Sequence, residues 1–259
     1  MKSRLILLAV AVLVLVAAIL VYFHFRKAGL PDSFQGWVEA DFVFVSPDEP
    51  GRVETLFVRE GTSVAAGQPL FALDDDLQRA AVNEAEAALA NAKQDYDRAS
   101  VLAKSNIGTQ KTLDAAQATL RTAEARLSSA KTKLDRRQRL SPATGIVQEV
   151  YFRKGEMVEA GRPIVSLMPP QNIKVRFFVP QAILPGMHID DQVRVSCDGC
   201  PASLTARISF ISAQAEFSPP VIYSLEERAR LVFRVEAIPD QPGELRVGQP
   251  ASVSPIARQ

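Results

Sequence analysis

Residues 51–73, GRVETLFVREGTSVAAGQPLFAL, align without a gap on residues 145–167, GIVQEVYFRKGEMVEAGRPIVSL. Gly51 falls on Gly145, Val53 on Val147, Arg59 on Arg153, Gly61 on Gly155, Val64 on Val158, Gly67 on Gly161, Pro69 on Pro163 and Leu73 on Leu167. Each copy reads as short strands with apolar residues at alternate positions, broken by glycines that permit the positive φ of tight turns. A copy alone has too little apolar surface for a stable core. The two are therefore expected to pack as halves of one β-sandwich, although about 70 residues separate them.

The separating segment, 74–139, has no proline, one glycine (Gly108) and much Ala, Leu, Glu, Lys, Gln and Arg, a strongly helix-forming composition. Val82, Leu89, Tyr96 and Ala103 are spaced by sevens and interleaved with Ala85, Ala92 and Ala99. Leu113, Leu120, Leu127 and Leu134 repeat the pattern with Ala116, Ala123 and Ala130. That 3-4 alternation is a coiled-coil seam. The turn residues of 104–109 (KSNIGT) fold the two helices back on each other as an antiparallel hairpin, a thin rod about 40–45 Å long at 1.5 Å per residue. The outer positions are polar, so the rod is expected to project into solvent.

The two half-motifs resemble those of lipoyl and biotinyl carrier domains, which pack about a pseudo-twofold axis and carry a modifiable lysine on the tight turn between them. Here the helical segment stands in place of that turn. The resemblance implies the sandwich but no carrier function, and no cofactor is expected.

Residues 5–25 form a run of about 21 residues, apolar except for Tyr22 and His24, long enough to cross a bilayer as a helix. Lys2 and Arg4 precede it and Arg26 and Lys27 follow, so charge leaves its orientation open. A cleaved signal peptide is the alternative, but the run is long for one and its far end, YFHFRK, lacks a small-residue cleavage site. Downstream of the second half-motif, β-strands are expected over 173–179, 192–196, 204–211, 231–237 and 245–253, with a short helical turn over 181–184. Residues 36–45 offer a further strand, completing a small β-barrel. The expected organisation is α+β, multidomain and elongated: anchor 1–27, linker and first barrel strand 28–47, half-motif 48–73, hairpin 74–139, half-motif 140–168 and barrel 169–259.

Lys and Arg (30) balance Asp and Glu (29), so no overall field draws the chain to nucleic acid. Two histidines and two cysteines are too few for an ordinary structural zinc site, and no nucleotide-binding glycine loop or nucleophilic triad can be assembled. No enzymatic activity is expected. The competing reading, a membrane-anchored thiol oxidoreductase, rests on Cys197 and Cys200 alone. Those residues are instead expected to close a local disulfide.

A split lipoyl motif with a coiled-coil hairpin between its halves, a barrel after it and an N-terminal anchor resembles the HlyD-type membrane fusion proteins, or periplasmic adaptor proteins. The stretches that carry the resemblance are 141–167 (SPATGIVQEVYFRKGEMVEAGRPIVSL) and 245–253 (LRVGQPASV). Residues 208–237 are similar to the subgroup that serves ABC exporters. The resemblance implies a single-pass protein of the bacterial inner membrane, its bulk in the periplasm, assembled as a ring of about six. Its partners would be an inner-membrane exporter, of the ABC or alternatively the major-facilitator type, and a TolC-like outer-membrane channel, in efflux or secretion. Lipidated adaptors carry a cysteine just after the signal sequence, whereas no cysteine here precedes Cys197. At the hairpin tip, family members dock to the channel with an Arg, a Leu four residues on and a Ser seven residues further, positions held here by Arg98, Leu102 and Thr109. Leu102 lies off the seam, so docking competes with a local role in covering the helix ends with Ile107. Thr109 also suits the N-cap of the second helix.

Overall fold

The computed structural model describes residues 33–105, 107–201, 204–217 and 231–256; the anchor expected over 5–25, with His24, lies outside them. The single strand expected over 36–45 is in fact two, β1 (Phe34–Ala40) and β2 (Val43–Val45), and they belong to different units of the chain. Parity explains the break. Phe34, Gly36 and Val38 face inward at even positions, whereas Val45 is buried at an odd one, and a period-2 strand cannot turn both sets to the same side.

One unit, Asp41–Pro170, holds the repeat. The first half-motif supplies β3 (Gly51–Leu56), β4 (Ser63–Val64) and β5 (Pro69–Leu73). The second supplies β7 (Gly145–Val150), β8 (Met157–Val158) and β9 (Val165–Met168), and β6 (Gln138–Leu140) precedes it. These strands form two four-stranded sheets ordered β2-β9-β7-β4 and β6-β5-β3-β8. Each sheet therefore mixes the halves: β3 pairs with β8 of the other copy and β4 with β7. Even the flanking strands obey the repeat, β2 lying on β9 as β6 lies on β5. The aligned residues Val53 and Val147, Leu70 and Ile164, Phe71 and Val165, and Leu73 and Leu167 are fully buried together in one core. The aligned turns also match, Gly61 and Gly155 having φ of 79° and 94°.

Between β5 and β6 rise α1 (Asp76–Lys104) and α2 (Gln110–Asp135), 29 and 26 residues long. Every heptad residue named above is wholly or partly covered, Val82, Ala92, Ala99 and Ala123 most completely, while almost all the rest of both helices is exposed. The pair of helices has one narrow apolar seam and a cross-helix ion pair, Lys131 Nζ to Glu86 Oε1 at 3.1 Å. Asp75, just ahead of α1, accepts from Arg79 Nε at 2.6 Å, and this hydrogen bond holds the exposed guanidinium above its ordinary pKa. The helical segment ends earlier than 139. Leu134 is the last apolar seam residue, Arg137 occupies the next seam position, and the backbone of Gln138–Leu140 pairs instead with the edge of β5.

The other unit joins β1 to the described residues from Gln171 onward. Its strands β10 (Ile173–Pro180), β11 (Gln192–Ser196), β12 (Thr205–Phe217), β13 (Leu231–Pro239) and β14 (Pro250–Pro255) close with β1 into a barrel ordered β1-β10-β13-β12-β11-β14. Val38, Val175, Phe177, Val195, Ile208, Val235 and Val253 fill it. Three details differ from the expectation. β12 runs on to Phe217 through two register shifts. The helical turn lies at Leu184–Gly186 rather than 181–184, where Pro185 fits its first turn. The last strand begins at Pro250, not Leu245, because a 3-10 turn at Pro242–Glu244 and a tight turn closed by Gln249 N–H to Arg246 O occupy the intervening chain.

Candidate functional site

The free end of the hairpin brings the residues singled out by the resemblance to one place. Arg98 and Leu102, four apart, share a face in the last two turns of α1, and Thr109 stands across the connection at the start of α2. The α1 terminus is closed by main-chain bonds: the amides of Ile107 and Gly108 donate to Leu102 O at 3.0 and 2.9 Å, and that of Ser105 to Val101 O at 3.1 Å. A Cβ on Gly108 would lie 3.1 Å from the Leu102 Cβ, so the chain at Gly108 crosses close over Leu102.

That close crossing does not bury the apolar residues. Leu102 remains 46% exposed and Ile107 77%, so the two do not form a covered cap between them. Val101, off the seam as Leu102 is, adds a third apolar side chain at 63% exposure. The sequence did not single out Val101, although an apolar residue off the seam was the available signal. Ala99 is buried and Ala103 half-buried beside them, which shows how sharply the seam ends where the exposed face begins.

The polar members differ in how far they are committed. Arg98 pairs with Asp95 on its own helix, and both side chains are mostly exposed. Such a surface pair contributes about 0–1 kcal/mol, so the guanidinium is free to exchange partners. Thr109 is engaged: its backbone is extended (φ −92°, ψ 150°), and its hydroxyl accepts from Thr112 N–H at 3.2 Å and lies 2.7 Å from the Thr112 hydroxyl. It is the N-cap of α2. The tip is thus an apolar surface of Val101, Leu102 and Ile107 with an exchangeable cation beside it and a capping hydroxyl behind.

Cys197 and Cys200 lie in the other unit, joined in a disulfide with Cα atoms 5.2 Å apart. The bridge spans a tight turn, with Cys200 N–H to Cys197 O at 3.1 Å, that follows β11. Gln249 steadies it, its amide nitrogen 2.8 Å from Asp198 O and 3.8 Å from Cys200 Sγ. The next element among the described residues is the strand β12, not the helix that lowers the thiol pKa in disulfide oxidoreductases. His188, on the loop before β11, lies 3.6 Å from Asp191 through Nδ1. Among the described residues no group of three or more His, Cys, Asp or Glu side chains is arranged to hold a metal ion. Nor is any helix among them long and apolar enough to cross a membrane.

No family model matches the chain. A UPF0194 membrane protein of Acidithiobacillus ferridurans is 26% identical, the match covering 95% of this chain and 94% of that protein. An uncharacterised Haemophilus influenzae protein is 28% identical over 64% of this chain, which spans only 44% of its length. A UPF0194 membrane protein of Enterobacter is 30% identical, over 64% of this chain and 53% of its own length. Among solved structures, a membrane fusion protein of Streptococcus pneumoniae R6 superimposes with a TM-score of 0.67 at 20% identity, over 88% of this chain and 99% of that one. A MacA–MexA chimera carrying the Pseudomonas aeruginosa MexA α-hairpin gives 0.70 at 18% identity, over 87% and 80%. The chain is therefore similar over most of its length to a bacterial membrane protein and has the fold of the membrane fusion proteins.

Proposed function

We propose that this chain is a periplasmic adaptor of the HlyD type. It is held in the inner membrane by residues 5–25, gathers into a ring of about six and couples an inner-membrane exporter of the ABC type to a TolC-like outer-membrane channel. The observation that carries this reading is the uncovered apolar tip of a two-helix hairpin whose seam residues are otherwise wholly or partly covered. Val101, Leu102 and Ile107 stand in solvent at the end of a rod about 40 Å long, where their exposure contributes nothing to the fold. Arg98 adds a donor for carbonyls or carboxylates on the channel rim. Among the described residues the hairpin lies where a carrier domain bears its cofactor, and the disulfide-bonded cysteines lie between β11 and β12, which favours the adaptor reading over a carrier or a thiol oxidoreductase.

The test is photocross-linking in cells from a benzophenone amino acid placed at Val101. The expected adduct contains an outer-membrane channel protein, identified by mass spectrometry, and is lost in the Leu102→Asp background. Adducts confined to inner-membrane or soluble proteins would overturn the docking assignment. Affinity purification after cross-linking through the N-terminal region identifies the exporter and its class.

A further inference from the structure

Three arginines, Arg136, Arg137 and Arg139, cluster at the foot of the hairpin, and all reach toward residues 46–50 (SPDEP), the connection from β2 to β3. Arg139 Nε donates to Ser46 O at 3.1 Å and its guanidinium also pairs with Asp48. Arg136 stands 4.0 Å from the same carboxylate. Arg137 is the most enclosed of the three, its side chain only 12% exposed. Its Nη1 donates to Pro50 O at 2.9 Å, and its Nη2 lies 3.6 Å from Glu49 Oε2. With the Gln78 amide turned oxygen-first, Arg137 Nε donates to it at 2.9 Å, and Gln78 belongs to the first turn of α1. The Arg137 carbonyl meanwhile accepts from Leu73 N–H, at the end of β5, at 2.9 Å.

One residue thus touches the last strand before the hairpin, the first turn of α1 and the connection ahead of β3, while itself lying just past the end of α2. The 46–50 connection is in turn stiffened by Pro47 and Pro50 and tied to the second half-motif, since Pro47 O accepts from Gly161 N–H at 2.9 Å. The sequence makes room for the guanidinium: a Cβ on Gly51 would lie 2.8 Å from Arg137 Nη1. Within the repeat, a side chain would meet an obstacle at both Gly51 and Gly145, but of different kinds: fixed backbone at Gly145, a side-chain end that can shift at Gly51. The Gly145 Cβ would meet the Met168 backbone, whereas the Gly51 Cβ would meet this arginine.

We infer that Arg137 is a positioning residue that fixes the tilt of the hairpin on the sandwich, and so the direction in which the tip is presented. Two helices that meet only along one narrow seam hold each other, but nothing in that seam holds the pair to the sheets. The enclosed, multiply bonded guanidinium does. A planar fork bonded on several edges resists rotation in a way that a single ammonium contact does not.

The test uses the full-length chain, spin-labelled at Lys93→Cys on α1 and Glu159→Cys on the sandwich, in the absence of any partner. The native cysteines are paired and take no label. Arg137→Lys keeps the charge and loses the fork; Gly51→Ala keeps the arginine and takes its place. In both, the measured distance distribution is expected to at least double in width while helicity and cooperative unfolding are retained. A distribution as narrow as the parent's in either folded variant overturns the inference, and should one variant fail to fold, the other decides. The functional half of the inference rests on the docking reading: cross-linking from Val101 to the channel should fall several-fold in Arg137→Lys, with no change in the tip itself. If the distribution broadens yet cross-linking is untouched, hairpin tilt does not govern docking and that half is wrong. If Leu102→Asp also leaves cross-linking intact, it is the docking reading that has failed.

Discussion

Replacing Leu102 by Asp separates docking from folding, because the two draw on different parts of the same side chain. Full burial of a leucine is worth about 1.5–3 kcal/mol, and 46% of Leu102 remains for a partner to cover, so docking stands to lose about 0.7–1.4 kcal/mol per subunit. A ring of about six, engaging together, multiplies this to roughly 4–8 kcal/mol, or three to six powers of ten in affinity. The hairpin itself loses at most the covered remainder, about 0.8–1.6 kcal/mol. Leu120→Asp is the control, since Leu120 sits in the seam and truncating a seam leucine costs about 2–5 kcal/mol before any charge is buried. Thermal unfolding by circular dichroism and cross-linking from Val101, measured on both variants, form the assay. Leu102→Asp should abolish cross-linking with a small shift in unfolding, and Leu120→Asp should lower unfolding far more. If Leu102→Asp unfolds as early as Leu120→Asp yet still cross-links, Leu102 is a packing residue and the docking argument fails.

Thr109→Ala should destabilise α2 by about 1 kcal/mol through loss of its cap, while Thr109→Ser, which keeps the hydroxyl, should unfold like the parent; equal loss in both would show that the cap is not what matters. Phe71→Ala, at a fully buried site shared by both half-motifs, should cost about 3–5 kcal/mol, read as a lower urea midpoint for the sandwich. Changing Cys197 and Cys200 together to Ser should cost the barrel about 2 kcal/mol at most, since the closed loop is short, and export should survive; complete loss of export with the barrel folded would restore a chemical role. Full-length protein should resist carbonate extraction from membranes, and a chain lacking residues 1–27 should not.

The hairpin was legible because its seam obeys one period, and the residues that repeat by sevens are the residues that are covered. The repeat revealed the shared core for a similar reason: Val53, Val147, Leu73 and Leu167 are aligned in sequence and buried together. What the repeat could not reveal was the exchange of strands. Alternation tells which face of a strand is buried, not which strand lies beside it, so the pairing of β3 with β8 left no mark in either segment. The short strand β6 was hidden for another reason, since three residues of good helix formers follow a helix without a breaker. At the tip, Leu102 stood out against the heptad, but the exposure of Val101 and Ile107 depended on how the connection crosses the helix ends. The arginine contacts at the hairpin foot were likewise invisible, being set by a turn nearly 90 residues away in the chain.

The mixing of half-motifs in both sheets bears on the order in which the chain can fold. β3 finds its neighbour β8 only when residue 158 is available, so no strand of the first half can complete its sheet while the chain is still short. The helices are different, because they pair chiefly with each other, and such local pairs form faster than the non-local pairings of sheets. Leu73 and Arg137 are hydrogen-bonded in the folded chain, so once α1 and α2 have zipped the two should need no long search across the 60 or so intervening residues, and the hairpin is expected to form ahead of the sheets. The hairpin then acts as a built-in clamp for its own scaffold. A chain with a weakened seam should refold slowly, even where its finished sandwich is as stable as the parent's.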